Sequence, residues 1–288
     1  MVARAARMRP AAALLPGDRL HLQHGPIDLV IGAEGDRRAA FAAARARFDT
    51  VLEELVAELP QLRRPVPSPT PEGETARRMH AACLPHADGI TTPMAAVAGA
   101  VAETVLAAMV AAAPLRRAYV NNGGDIALHI AQGAEYAAGI AAPDGTSLGT
   151  ARIAAGDPVR GIATSGQGGR SLSLGIADAV TVLAASAAAA DVAATRIANA
   201  VDLAGHPAIR RAPAATLRDD SDLGQVAVVT AVGLLDPEDI AAALDRGARA
   251  ADAMRRAGLI AAAALFLRGS TRSTGALAPQ RLRRPEHA

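Results

Sequence analysis

The chain contains no lysine: all 30 of its Lys+Arg positions are arginine. That excludes a Schiff-base lysine and a Walker-type phosphate loop, both of which need an ammonium group. Tryptophan is absent as well, and aromatic residues make up 2% of the sequence. Single-stranded nucleic acid is bound on aromatic stacking platforms. With few aromatics and with arginines scattered rather than clustered, the sequence argues against a nucleic-acid partner. Cys83 is the only cysteine, so no internal disulfide can form and a reducing compartment suits the chain. Long apolar runs are scarce. Ala11 to Leu15, behind Arg4, Arg7 and Arg9, is too short for a secretion signal, and Val105 to Leu115 is too short to span a bilayer. The expectation is a cytoplasmic protein without a membrane partner.

What is present is aliphatic. Apolar residues reach 51% of 288 positions, and Ala, Leu, Val and Ile must carry the core. Each buries less area than an aromatic ring, so the elements have to approach closely. The length allows one large domain or two small ones.

Along the chain, Leu20 and Leu22, then Ile27, Leu29 and Ile31, alternate around His24-Gly25-Pro26 as a β-hairpin would. Asp36 is placed to cap a helix running to Leu59, with Phe41, Phe48, Leu52, Leu55 and Leu59 at helical spacing. A proline-rich connector reaches Pro71, and helices are expected over 72–84 and 93–113. Strands are expected at Tyr119-Val120 and Ile126 to Ile130, and a hairpin over 136–153 turns at Pro143 to Thr146. A strand from Asp178 to Leu183 leads into an alanine-rich helix opening at Asp191. Residues 205–224 read as a loop, 226–232 as a strand, 236–258 as a helix capped by Asp236, and 259–267 as a last strand.

Three short segments have the residue types that hold ligands. Asn121-Asn122-Gly123-Gly124-Asp125 is either an ordinary hairpin turn or a place where backbone N–H groups meet a ligand closely. Thr164-Ser165-Gly166 ends a strand. It is not a nucleophile elbow, because Ala163 and Gln167 stand where glycines are needed. Gly166, Gly168 and Gly169 lack the third glycine and the following helix of a dinucleotide fingerprint. Asp191 and Thr195, four positions apart, share one helix face and either cap that helix or present hard oxygens to a cation. His80, Cys83 and His86 have a metal-like spacing but no evident fourth ligand, and read as two exposed histidines beside a buried thiol.

Together the Asn-Gly-Gly-Asp turn, the Thr-Ser-Gly turn and the Asp191/Thr195 pair resemble the ApbE-like superfamily, and more closely an uncharacterised branch of it. Its founding members move FMN from FAD onto a protein hydroxyl with magnesium. The resemblance implies a single α+β domain over 17–269, a mixed or antiparallel sheet packed with helices, between a tail at 1–16 and a disordered tail at 270–288. It implies FAD held by Asn122, Gly123, Gly124, Asp125, Thr164, Ser165 and Gly166, and Mg2+ held by Asp191 and Thr195 with backbone carbonyls. It also implies an acceptor flavoprotein modified on Thr or Ser, with a homodimer as the candidate assembly. Two departures stand out. Ala98-Gly99 with Glu103 matches a lysine-glycine-…-aspartate helix, but alanine replaces the lysine. The loop from Arg170 to Leu174 lacks the histidine that the transferases carry there, leaving Asp125 and Asp178 as candidate bases. A binding module without turnover, or an enzyme with another small-molecule ligand on the same scaffold, are the alternatives.

Overall fold

The computed structural model describes residues 9–87, 90–141, 147–169, 171–218 and 221–275. The strands are β1 (Ala11–Leu15), β2 (Arg19–His24), β3 (Ile27–Gly35), β4 (Leu115–Asn122), β5 (Asp125–Ile130), β6 (Glu135–Ala141) and β7 (Ser147–Ala154). They continue with β8 (Gly161–Ser165), β9 (Ala179–Ala184), β10 (Ile209–Pro213), β11 (Ala227–Val232), β12 (Ala262–Leu267) and β13 (Ser270–Thr274). Five longer helices, α1 (Arg37–Ala57), α2 (Glu74–Cys83), α3 (Val97–Ala112), α4 (Ala187–Ala200) and α5 (Pro237–Arg256), complete the α+β architecture. Nine strands form one sheet in the order β1-β2-β3-β4-β5-β8-β9-β12-β13, with β6-β7 and β10-β11 as separate ribbons. Every pairing in the large sheet is antiparallel, which settles the mixed-or-antiparallel expectation.

Helices cover one face of this sheet and the β6-β7 ribbon lies on the other. On the helix side, Leu20, Leu22, Leu29 and Ile31 pack with Phe48, Val105 and Met109 of α1 and α3. Further along, Val180, Val182 and Leu265 pack with Ile197 of α4 and Leu244 of α5. On the opposite face Leu128, Ile153, Leu183 and Phe266 make a third cluster with the ribbon. Strands β9 and β12 are therefore buried on both faces at every residue. That is why they read AVTVLA and AAALFL rather than alternating. The two halves of the sheet meet at a narrow seam. Among the described residues β5 and β8 share only Ile126↔Ile162 and Ala127↔Gly161, extended by Leu128 N–H donating to the Arg160 carbonyl at 2.9 Å.

Helix α1 follows its sequence pattern: Asp36 Oδ1 accepts the Ala39 N–H at 3.1 Å, and Phe41, Phe48, Leu52 and Leu55 are buried. The proline-rich connector folds back over the surface. Glu58 accepts the Glu72 and Gly73 N–H groups, both at 2.7 Å, and pins its two ends together. Other expectations are corrected. Residues 11–15 and 270–274 are the edge strands β1 and β13 rather than parts of tails. The expected loop at 205–224 contains β10 and a single helical turn, Ala214–Leu217. Asp236 stands at the N-cap of α5 without a side-chain cap bond. The turn expected at Pro143 to Thr146 lies outside the described residues.

Pro93–Ala112, a short 3-10 turn running into α3, is by length and hydropathy alone apolar enough to cross a membrane. Here it packs between α1, α4 and the sheet. Small residues make the α3–α4 crossing possible: a Cβ on Gly99 would stand 2.3 Å from the Ala187 carbonyl oxygen. Because the obstacle is backbone, it cannot rotate away. Gly99→Ala should therefore lower stability by about 1–3 kcal/mol or more in urea denaturation. Gly156→Ala, where a Cβ meets nothing within 4 Å, should change it by less than about 0.5 kcal/mol.

Candidate functional site

The crossing of α3 and α4 brings two helix N-termini together, and each helix caps the other. Asp191 Oδ2 accepts the Gly99 N–H at 3.0 Å, in the first turn of α3, whose own cap residue, Ala96, has no side-chain acceptor. In return Glu103 Oε1 accepts the Ala188 N–H at 2.7 Å, in the first turn of α4. Carboxylates satisfy the unpaired donors of helix N-termini and are favoured by the helix dipole. Ser186 supplies the remaining cap of α4, its hydroxyl accepting the Ala189 N–H at 3.2 Å. So α4 opens at Ala187, and Asp191 lies in its second turn rather than at its start, as the sequence suggested.

Around this crossing several of the sequence-predicted residues converge. Asn122 is buried, and its side-chain amide donates to the Ala98 carbonyl at 3.1 Å, tying the end of β4 to the start of α3. Thr195, one turn beyond Asp191, points its hydroxyl at the Ser165 hydroxyl 3.5 Å away. Gly123 and Gly124 close the β4–β5 hairpin with φ of 65° and 115°, conformations that favour glycine, and Asn122 pairs with Asp125 across the turn. The register Ile126↔Ile162 places that turn and the Thr164–Gly166 end of β8 at the same end of the sheet.

Strand alternation separates the rest. Thr164 faces away from the helices, hydrogen-bonded to Thr181 at 2.9 Å. Together with Gly124, Ile126, Gly139, Ile162 and Leu183 these two threonines line a cavity of about 200 Å³ between the sheet and the β6-β7 ribbon. Ser165, Asn122, Asp191 and Thr195 thus lie on the helix side, and Thr164 and Gly124 on the ribbon side. Gly166 has φ 141°, and a Cβ there would meet the Asp178 carbonyl at 2.7 Å, so this glycine is fixed by close packing. Asp178 itself accepts the Arg268 N–H at 2.5 Å and serves a turn.

Residues 11–273 match the family model described as "AbpE bacteria". The chain belongs to this family. Among its relatives, the UPF0280 protein of Methanopyrus kandleri is 36% identical over 180 residues, 60% of this chain and 69% of that protein. The UPF0280 protein of Methanocella arvoryzae is 36% identical over 177 residues, 61% of this chain and 65% of that protein. The match to the UPF0280 protein of Methanothermobacter thermautotrophicus, 39% identical over 113 residues, covers 38% of this chain and 43% of that protein. These last two alignments span less than two thirds of the relatives' length. The apo crystal structure of the Pseudomonas stutzeri flavinyl transferase ApbE superposes with a TM-score of 0.45 at 12% identity, covering 93% of this chain and 95% of that one. A likeness that distant does not carry a site.

The electrostatics of the crossing are set by desolvation. Burial pushes the Asp191 carboxyl up to about 7, against the Gly99 and Ala98 N–H groups, which work to lower it. Burial also pushes the Cys83 thiol up to about 12, helped by the Asp191 charge nearby. Cys83 is thus an inert thiol donating to the Thr92 carbonyl at 3.4 Å. The metal-like spacing around it is not a metal site. His80 is buried rather than exposed, with Nε2 against the Ser68 carbonyl at 2.8 Å. Among the described residues no group of three or more His, Cys, Asp and Glu could hold a metal.

Sequence reasoning missed Thr181, which carries no motif, and Asp222, whose carboxylate accepts the Thr92 hydroxyl at 2.7 Å across 130 positions. The polar stretch containing Asp222 reads only as loop. The sign of the Asp191 titration gives a test. Its native pKa of about 7 lies above the ordinary 3.8, so the native state holds the extra proton between those values. That contribution to stability is complete below about pH 4 and is lost as the pH rises through about 7. In metal-free buffer, Asp191→Asn should therefore gain on wild type by up to about 1.4 kcal/mol per pH unit across this window. Urea denaturation at pH 5 and pH 8 reads this, and a constant difference between the two proteins would refute the assignment.

Proposed function

We propose that this protein binds a flavin nucleotide at the end of the sheet, between the α3–α4 crossing and the cavity. Its reaction is the magnesium-assisted transfer of FMN from FAD to a Thr or Ser hydroxyl of an acceptor protein. The observation that carries this reading is the Asp191 carboxylate. It is desolvated, its hydrogen-bond partners are backbone N–H groups rather than a cation, and Thr195 lies one turn away beside Ser165. A carboxylate so placed is a hard oxygen donor whose charge a divalent cation would compensate. No group of three His, Cys, Asp or Glu stands around it among the described residues, so an ion there would complete its shell with water and ligand phosphate, as magnesium commonly does. A magnesium ion held by Asp191 and Thr195 would supply charge neutralisation for the pyrophosphate. Family membership and the Asn-Gly-Gly-Asp and Thr-Ser-Gly turns support the same ligand class.

The chain's own residues supply binding and orientation. Gly124 has no atom within 4 Å of where a Cβ would stand, which lets a ligand ring approach it closely, while its N–H is donated to Asn121 Oδ1 at 2.8 Å. Thr164 presents a hydroxyl to the cavity. Of the two candidate bases, Asp178 accepts the Arg268 N–H, and Asp125 stands next to Gly124 in the turn, part-buried. In this reading Asp125, at the end of the sheet where the nucleotide binds, takes the acceptor proton.

The second reading is a flavin-binding module without turnover. It is favoured by the loop at 171–174, Ser-Leu-Ser-Leu, which has no histidine, and by the structural employment of Asp178. Calorimetry with FAD tests both. Binding should require magnesium and weaken at least about tenfold, or about 1.4 kcal/mol, in Asp191→Ala. No binding by wild type with magnesium would end the flavin reading. Given binding, AMP release with flavin left covalently on a partner identifies the transferase, and binding without AMP identifies the module.

A further inference from the structure

The two edges of the nine-stranded sheet are built differently. β13 is short and polar, Ser270–Thr274, and Arg272 on it reaches Asp245 of α5 at 2.8 Å. Charge at an exposed edge discourages pairing with another chain. β1 has no such protection. It reads Ala-Ala-Ala-Leu-Leu, carries no charge, and is exposed at its first four residues. Among the described residues β2 is its sole neighbour in the sheet, and its outer edge pairs with none of them.

The side chains of β1 extend an apolar face beyond the helices that cover it. Leu14 pairs with Leu20 and Ala12 with Leu22, so these residues share the face on which Leu20 and Leu22 are fully buried. Leu14 nonetheless remains 70% exposed.

We propose that β1 is a homodimer interface, in which a second copy adds its own β1 antiparallel and joins the two sheets. The occupant follows from the sequence 10–16, Pro-Ala-Ala-Ala-Leu-Leu-Pro, which is self-complementary about Ala13. A twofold axis there sets Ala12 opposite Leu14 and Ala11 opposite Leu15, small against large on both faces. Pro10 falls opposite Pro16, so both strands end together, where a proline would stop the ladder. A five-residue strand pair buries less than the ~1,200–2,000 Å² of a standard interface, so association in the micromolar range is expected. This inference is independent of the flavin reading.

Sedimentation equilibrium on the full chain, from micromolar to submillimolar concentration, should show a monomer–dimer equilibrium. Leu14→Arg, at a position already exposed, should leave a monomer of half the dimer mass. Cross-linking reports on register. Residues directly opposite in an antiparallel pair have Cα atoms about 4.5–5.5 Å apart, within the range a disulfide spans. Ala13→Cys should therefore form a disulfide dimer on mild oxidation, and Ala12→Cys, displaced along the strand from its twin, should not. Cys83 is buried and does not compete. A wild type that stays monomeric, a dimer indifferent to Leu14→Arg, or faster cross-linking at position 12 than at 13 would overturn the proposal.

Discussion

The exchange of carboxylates between α3 and α4 is the constraint on which the rest of this structure depends. Two helix N-termini facing one another would each leave unpaired N–H donors in a buried place and set like ends of two dipoles together. Asp191 and Glu103 resolve both problems, each reaching across to the first turn of the other helix. Glu103 is held in turn by Arg78 at 3.3 Å, and Arg78 by Glu74 at 3.0 Å, so α2 joins the same arrangement. Gly99 then lets the backbones meet. Once these contacts form, the positions of Thr195 relative to Ser165 and of Asn122 relative to Ala98 follow from helix and strand geometry.

An aliphatic core makes this close crossing a necessity rather than an ornament. Alanines at 100, 187, 188, 190, 193 and 194 are all buried. They fill space only when the elements carrying them come within a short distance. The same shortage of bulk leaves Phe48 and the β9–β12 pair to carry a large share of the packing.

Much of the fold was legible in the sequence where a pattern had physical content. The stripe from Phe41 to Leu55 and the cap at Asp36 defined α1, and Gly123-Gly124 defined the hairpin. The start of α4 was not legible. Its first turn is a run of alanines with no amphipathic period, so Asp191 offered the only apparent boundary, and its true partner lies 92 positions away. β10 was hidden because Arg210, Arg211 and Pro213 read as polar loop, although it pairs with β11 as a ribbon with one register shift between Arg210 and Arg211. β1 was lost behind arginines and prolines. For the site, residue types were legible and placement was not. Period-2 alternation sends Thr164 and Ser165 to opposite faces of the sheet, and only the topology shows that their end of β8 lies beside the glycine turn.

The narrow seam between β5 and β8 leaves the two halves of the sheet to be joined chiefly by packing, through the α3–α4 crossing on one face and the β6-β7 ribbon on the other. Each half-sheet has its own helix-side cluster, one around Phe48 and Met109, the other around Ile197 and Leu244. The backbone ladder that joins them is the shortest in the sheet among the described residues. Sub-global opening follows such lines of weakness. A ligand held at once by the glycine turn of one half and by α4 of the other would bridge that line. Its binding energy would then add to that of the helix crossing in holding the two half-sheets in register.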